Sequence, residues 1–264
     1  MDNHPPPDPA ANPDSLDPAP DAAAVEQVRR LLASARSIAV ITGAGVSAES
    51  NIPTYRDKME GLWASFDPQT LATPEAFARD PETVTRWYDF RRAKCLEAQP
   101  NAGHLALARL ESAVLARGGR FTLLTQNVDR LHHRAASRNV VELHGNIITW
   151  RCTRTGARFD DLPVPFPQFP MPSPAGGLLR PDVVWFGESL PEAAILAAFE
   201  AAESADVFLT VGTSAVVYPA AGFLQVAQRA GATTIEINRD PTPHSGLVDH
   251  ALQGRAARIL PMLV

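Results

Sequence analysis

Cysteine is almost missing from this chain: Cys95 and Cys152 are the only two. Two thiols exclude a disulfide-stapled scaffold, and they exclude a four-cysteine zinc site within one chain. Long apolar runs are missing too, none approaching the ~20 residues that cross a bilayer, so no membrane partner is expected. The chain starts Met-Asp-Asn-His-Pro, without the basic start and apolar segment of a secretory signal. A cytoplasmic location is the expectation. Positive charge is not in excess either. Twenty-four Lys+Arg against 29 Asp+Glu leave a net charge of −5, which argues against a dedicated nucleic-acid binder. What remains is an ordinary globular balance, 45% hydrophobic and 20% charged over 264 residues, room for one α/β domain carrying an insertion.

Proline divides the chain. Seven of the 24 prolines fall in residues 1–20 among Asp and Ala. Such a segment buries too little apolar surface to offset its ordering entropy, and residues 1–21 read as a disordered tail. Seven more lie between Pro163 and Pro181, where no regular helix or sheet is expected. That stretch also holds Val164, Phe166, Phe169 and Met171, so it is expected to pack onto something.

Elsewhere short apolar runs alternate with helical patterns. Strands are predicted at 37–42, 121–125, 140–143, 183–186, 206–212 and 233–238, mostly without polar alternation, as where helices cover both faces. A helix capped by Asp21 precedes the first, and helical patterns run over 101–117, 191–204 and 218–230. The alternation predicts an α/β fold with a doubly wound parallel sheet. Residues 57–100, loop plus short helices, and 147–181, hairpin plus irregular chain, are excursions expected to form a smaller inserted domain. The main domain would then comprise 22–56, 101–146 and 182–264.

Directly after the first strand comes Gly43-Ala44-Gly45-Val46-Ser47-Ala48-Glu49-Ser50. Glycines at such a turn let a ligand approach the backbone, and a helix start offers free N–H groups to phosphate; a glycine pair alone is equally what an unliganded tight turn needs. Then come Asn51-Ile52-Pro53-Thr54-Tyr55-Arg56-Asp57 and Gly61-Leu62-Trp63. Further sets are Thr125-Gln126-Asn127-Val128-Asp129, Leu143-His144-Gly145-Asn146 and Gly212-Thr213-Ser214. These follow apolar strands, at the carboxyl edge where open α/β sheets bind ligands. The motifs and their order resemble the sirtuins, the NAD-dependent protein lysine deacylases. The resemblance runs from about Ala22 to the C-terminus and is closest to bacterial sirtuins of the desuccinylase type.

The resemblance implies a Rossmann-like sheet with an inserted domain made of a helical module and a degenerate zinc-ribbon-like module. It implies NAD as cofactor. Gly43, Ala44, Gly45, Ala48, Ile52, Tyr55, Arg56 and Trp63 would face the pyrophosphate and nicotinamide. Gln126, Asn127 and Asp129 would line the ribose and nicotinamide pocket. Gly212, Thr213, Ser214, Asn238, Arg239, Asp240 and Ala256 would hold the adenosine side. Asn51 stands where the family has glycine, and asparagine tolerates a positive φ better than most residues. Tyr55 keeps an aromatic cover over the reactive ribose carbon. His144 and Asn127 would be catalytic, His144 as the base that takes a ribose hydroxyl proton. The other histidines read as exposed (His4, His244, His250), as structural (His104), or as helping packing or solvation (His132, His133). An acyl-lysine protein would add as a strand along 183–188, touching Val183, Val184 and Phe186.

Tyr88 and Arg91 are three apart and share a helix face. Taken alone, Arg91 and Arg92 are a solvated face; the Tyr-x-x-Arg spacing is similar to that of sirtuins that accept succinyl, malonyl or glutaryl groups. A guanidinium beside a phenol suits a carboxylate, and Ala72 matches the small residue that widens that pocket. The resemblance therefore implies desuccinylation or demalonylation with some deacetylation. Of the family's four zinc cysteines only Cys152 remains, so no zinc is expected, and Phe159, Phe166, Phe169 and Met171 are expected to replace the metal with an apolar cluster. Two other readings stay open: an ADP-ribosyltransferase or NAD hydrolase, and an acyl-lysine- or NAD-binding module without turnover.

Overall fold

The computed structural model describes residues 20–52, 67–214 and 220–264. The expected disordered tail lies, but for Pro20 and Asp21, outside the described residues. Along the chain the strands are β1 (Ser37–Thr42), β2 (Arg120–Thr125), β3 (Val140–Glu142), β4 (Gly145–Cys152), β5 (Arg158–Phe159), β6 (Leu179–Val183), β7 (Val207–Val211), β8 (Thr233–Asn238) and β9 (His250–Gln253). The helices are α1 (Ala22–Ser34), α2 (Ala44–Ala48), α3 (Pro68–Leu71), α4 (Pro74–Arg79), α5 (Pro81–Glu97), α6 (Ala102–Ala116), α7 (Leu131–Arg134), α8 (Glu192–Glu203), α9 (Ala220–Arg229) and α10 (Ala256–Ile259). None is long and apolar enough to cross a membrane.

Six strands form one sheet in the order β3-β2-β1-β7-β8-β9, every pair parallel. The chain leaves β1 toward one edge and returns at β7 toward the other, the reversal that opens a ligand crevice at the carboxyl ends. β1 is buried at all six positions. Its alternate residues serve two cores: Ile38 and Val40 pack beneath α1 and α6, whereas Ala39 and Ile41 pack with α8 and α9. That double burial is why SIAVIT shows no polar alternation. Helix α1 is capped by Asp21, whose carboxylate accepts the Ala23 amide at 2.9 Å, and buries Val25, Val28 and Leu32 at helical spacing.

The second sheet, β5-β4-β6, is antiparallel and shares a third core with α3, α4 and α5. It corrects one expectation. The apolar run 183–186 contributes only Val183 to a strand, and that strand is β6 of the small sheet; an apolar run carries no mark of which sheet it joins. Strand β9 lies outside the predicted strands, because its residues His-Ala-Leu-Gln bury only Leu252. Its edge position beside β8 is why it lacks an apolar run.

Candidate functional site

At the carboxyl edge of β1 the chain turns into the five-residue α2. The turn is backbone laid against backbone: Gly43 N–H donates to Val211 O at 3.0 Å and Gly45 N–H to Gly212 O at 2.8 Å. A Cβ on Gly43 would sit 2.8 Å from the Thr213 Cβ, and one on Gly45 2.8 Å from the Gly212 Cα. Gly212 itself has φ +60°. The glycines are thus required by the fold before any ligand enters. Ala44, Gly45 and Ala48 stay exposed. Asn51 takes φ 59°, as its place in the motif leads one to expect, and Ile52 is half-buried against the third core. Tyr55, Arg56 and Trp63 lie outside the described residues.

The end of β2 faces this turn. Gln126 Nε2 donates to Thr213 Oγ1 at 3.0 Å, and Asn127 Nδ2 reaches both Gly43 O and Ser47 Oγ at 3.0 Å. Asp129 is buried, accepting from Ser47 Oγ at 2.7 Å and from the Leu131 amide at 2.8 Å. Burial pushes its carboxyl up from the usual range, against the pull of those two hydrogen bonds. On the far side Asn238 Nδ2 donates to Thr213 O at 3.0 Å, and Ser214 is half-buried. Arg239 and Asp240 form an exposed ion pair at 2.8 Å. Ala256 is buried at the start of α10, which is tied to α2 by the Ala257 amide donating to Glu49 at 3.0 Å. The carboxyl ends of β1, β2, β7 and β8 therefore bring the sequence-predicted polar sets together around one crevice.

His144 follows β3. Its Nδ1 lies 2.9 Å from Gln126 O; a carbonyl only accepts, so Nδ1 carries the proton and Nε2 keeps its lone pair. Burial pushes this imidazole below its ordinary value, partly offset by the Gln126 carbonyl. The neutral ring is a base with one nitrogen locked. The next residue, Gly145, has φ +68° and lies against Asp182 O, where a side chain would not fit. The His144 carbonyl accepts the Val184 amide, and the Phe186 amide donates to Ala72 O, both at 2.9 Å. Segment 184–186 thus spans from the histidine to the helical module, with Phe186 half exposed.

Beneath the crevice lies a buried polar cluster around His104 and His132, whose polar partners the sequence alone does not name. His104 Nδ1 accepts the Asn101 amide at 3.3 Å and its Nε2 lies 3.5 Å from Ser47 Oγ. Thr42 Oγ1 donates to Thr125 Oγ1 at 2.9 Å and lies 3.0 Å from His132 Nε2. The two rings pack tilted at 54°, with centroids 4.8 Å apart. Burial lowers both histidines, His104 to about 4. The available signal was local: each threonine ends an apolar strand, and Asn101 with His104 has the spacing of a capping box.

In the small domain, Tyr88 is buried on α5 and Arg91 lies with its guanidinium 4.6 Å above the Trp87 ring and 5.6 Å from that of Tyr88. Tyr88 packs 6.2 Å from Trp185, which packs 5.4 Å from Phe77, and buried Ala72 joins the same cluster with Val183. Behind them the residues around Cys152 do not fit a zinc ion. The thiol donates to Gly176 O at 2.7 Å, and among the described residues no three His, Cys, Asp or Glu side chains converge. Phe166 is buried against Trp150 at 4.7 Å, and Phe159, Phe169 and Met171 are partly buried around them.

Residues 43–219 match the Sir2 family profile. The chain belongs to the Sir2 family. It is 52% identical over 238 residues to "NAD-dependent protein deacylase 2" of Pyrobaculum aerophilum, covering 90% of this chain and 93% of that one. It is 50% identical over 242 residues to "NAD-dependent protein deacylase" of Thermus thermophilus, covering 90% and 94%. Among solved structures it resembles a Sir2 homolog–NAD complex with a TM-score of 0.83 at 45% identity, over 90% of this chain and 91% of that one.

Proposed function

We propose that this Sir2 protein uses NAD to remove acyl groups from protein lysines, and that it favours acidic acyl groups, succinyl or malonyl, while retaining some deacetylation. Bound NAD would supply an electrophilic ribose carbon, to which the acyl-lysine carbonyl oxygen adds as nicotinamide leaves, and with one water consumed the products would be free lysine and O-acyl-ADP-ribose. The chain's own part begins with the crevice. The exposed face of α2 and the ends of β7 and β8 would hold the dinucleotide, and Gln126 and Asn127 would orient its nicotinamide half. The observation that carries the reading is the locked His144. Its Nδ1 proton is committed to Gln126 O, so Nε2 is the atom that takes a proton from a ribose hydroxyl. The acyl-lysine segment would lie along Val183, Val184 and Phe186 as an added strand.

Arg91, stacked on Trp87 beside Tyr88, supports the acidic acyl group as the preferred cargo. A guanidinium held by an aromatic face is pre-aimed and loses little freedom on pairing with a carboxylate. Without it the acyl carboxylate is buried unpaired, a loss of about 3–5 kcal/mol where desolvated and less where water enters. Arg91→Met is therefore expected to cut desuccinylation by orders of magnitude through KM and to change deacetylation little. Tyr88→Phe is expected to lose less in the same direction. Mass spectrometry of matched succinyl- and acetyl-lysine peptides, with and without NAD, decides the point; equal losses on both peptides would withdraw the acidic preference.

A further inference from the structure

One residue beyond Tyr88 and Arg91, and so about 100° round the helix, stands a second pair three apart. Asp89 and Arg92 are 3% and 1% exposed and meet at 2.5 Å. Among the described residues, the pair's side-chain hydrogen bonds beyond α5 go to the proline-rich segment. Arg92 Nη2 donates to Pro163 O at 2.7 Å, and Asp89 Oδ2 accepts the Phe166 amide at 2.9 Å. The guanidinium also lies 4.2 Å from the Phe166 ring centroid. The stretch Pro163-Val164-Pro165-Phe166-Pro167 has only two backbone N–H groups, and one of them is spent on Asp89.

We propose that Asp89 and Arg92 are positioning residues, a buried clamp that seats segment 163–166 on α5 and so sets the rotation at which Tyr88 and Arg91 face the acyl group. The inference rests on the acidic-acyl reading given above. Successive helix residues are ~100° apart, so a turn of α5 that moved Arg91 away would tear Asp89 and Arg92 from Pro163 and Phe166. Stability alone does not account for the pair, because apolar residues of similar volume often hold a core as well as a buried ion pair does, whereas the ion pair specifies one register. Of the four zinc cysteines that the resemblance implies for this module only Cys152 is present, and here the anchoring falls to the clamp.

The test uses the full chain and Asp89→Asn, which keeps the shape and removes the charge. Hydrogen exchange at the Phe166 amide is expected to accelerate at least tenfold, with β1 and β7 unchanged. In the same variant the succinyl-to-acetyl ratio of kcat/KM is expected to fall about tenfold through KM, with the KM for NAD unmoved. Should that variant fail to fold, Asp89→Leu/Arg92→Met removes both charges and is read by the same two measurements. Fast Phe166 exchange in the unaltered protein would overturn the clamp. Accelerated exchange with an unchanged acyl ratio would overturn its positioning role. Failure of the acidic-acyl reading is seen separately, as an Arg91→Met variant that loses both activities equally while Phe166 exchange stays slow.

Discussion

His144 shows what a single residue contributes and what its neighbours add. Its place in Leu-His-Gly-Asn suggests a base, but the choice of nitrogen comes from the Gln126 carbonyl 2.9 Å away, a partner 18 residues distant. Two results are expected. His144→Ala should abolish deacylation and leave NAD binding, measured by calorimetry, nearly intact; full turnover would remove the assignment. Because burial lowers this imidazole below 6.5, the ring stays neutral and active at neutral pH. Activity should then hold level down to pH 6.5 and fall about tenfold per unit once below the lowered pKa. An acid limb centred above 6.5 would show another group controlling the rate. Glycines 43 and 45 carry the complementary lesson: the motif suggests room for a ligand, and the structure shows the space filled by Gly212 and Thr213.

At the scale of an element, α6 depends on protonation. Its first turn is closed by a capping box in which Asn101 accepts the Gly103 and His104 amides and His104 Nδ1 accepts the Asn101 amide. A protonated imidazole cannot accept, and burial holds His104 near 4 against 6.5 for an unperturbed histidine. Between those values the unfolded chain binds a proton that the folded chain refuses, so stability falls as pH drops from about 6.5 to about 4, by ~3 kcal/mol from this residue. Asp129, raised by burial, acts in the opposite sense. His104→Gln keeps a capping acceptor without a titration. Denaturant unfolding across this pH range should therefore show a flatter pH dependence in the variant, with about 1 kcal/mol or less lost at pH 7. Parallel curves would place the acid sensitivity elsewhere.

For the whole molecule the question is what holds the small domain. The Cys152 thiol is engaged by Gly176, Phe166 fills the space beside Trp150, and the buried Asp89–Arg92 pair reaches into the same segment. Metal analysis of purified protein is expected to give well below one zinc per chain, with a melting temperature unmoved by chelator. One zinc per chain, lost together with stability, would show ligands recruited around Cys152.

Much of this was written in the sequence, because local rules suffice for it. Apolar runs without polar alternation specify strands buried on both faces, as in β1 and β7; Asp21 and Asn101 specify helix starts; and the ordered polar sets after those strands specify a crevice and the family. Position in the fold needed the tertiary structure. The run at 183–186 left the main sheet for the small one, and β9 formed at an edge where one buried leucine was enough. Thr42, Ser47, His104 and His132 became one network although 90 residues separate the extremes of its Thr42–His132 contact. A side chain's type is a local fact, whereas its partner is set by where the sheet's crossovers bring distant segments together, and no spacing along the chain records that.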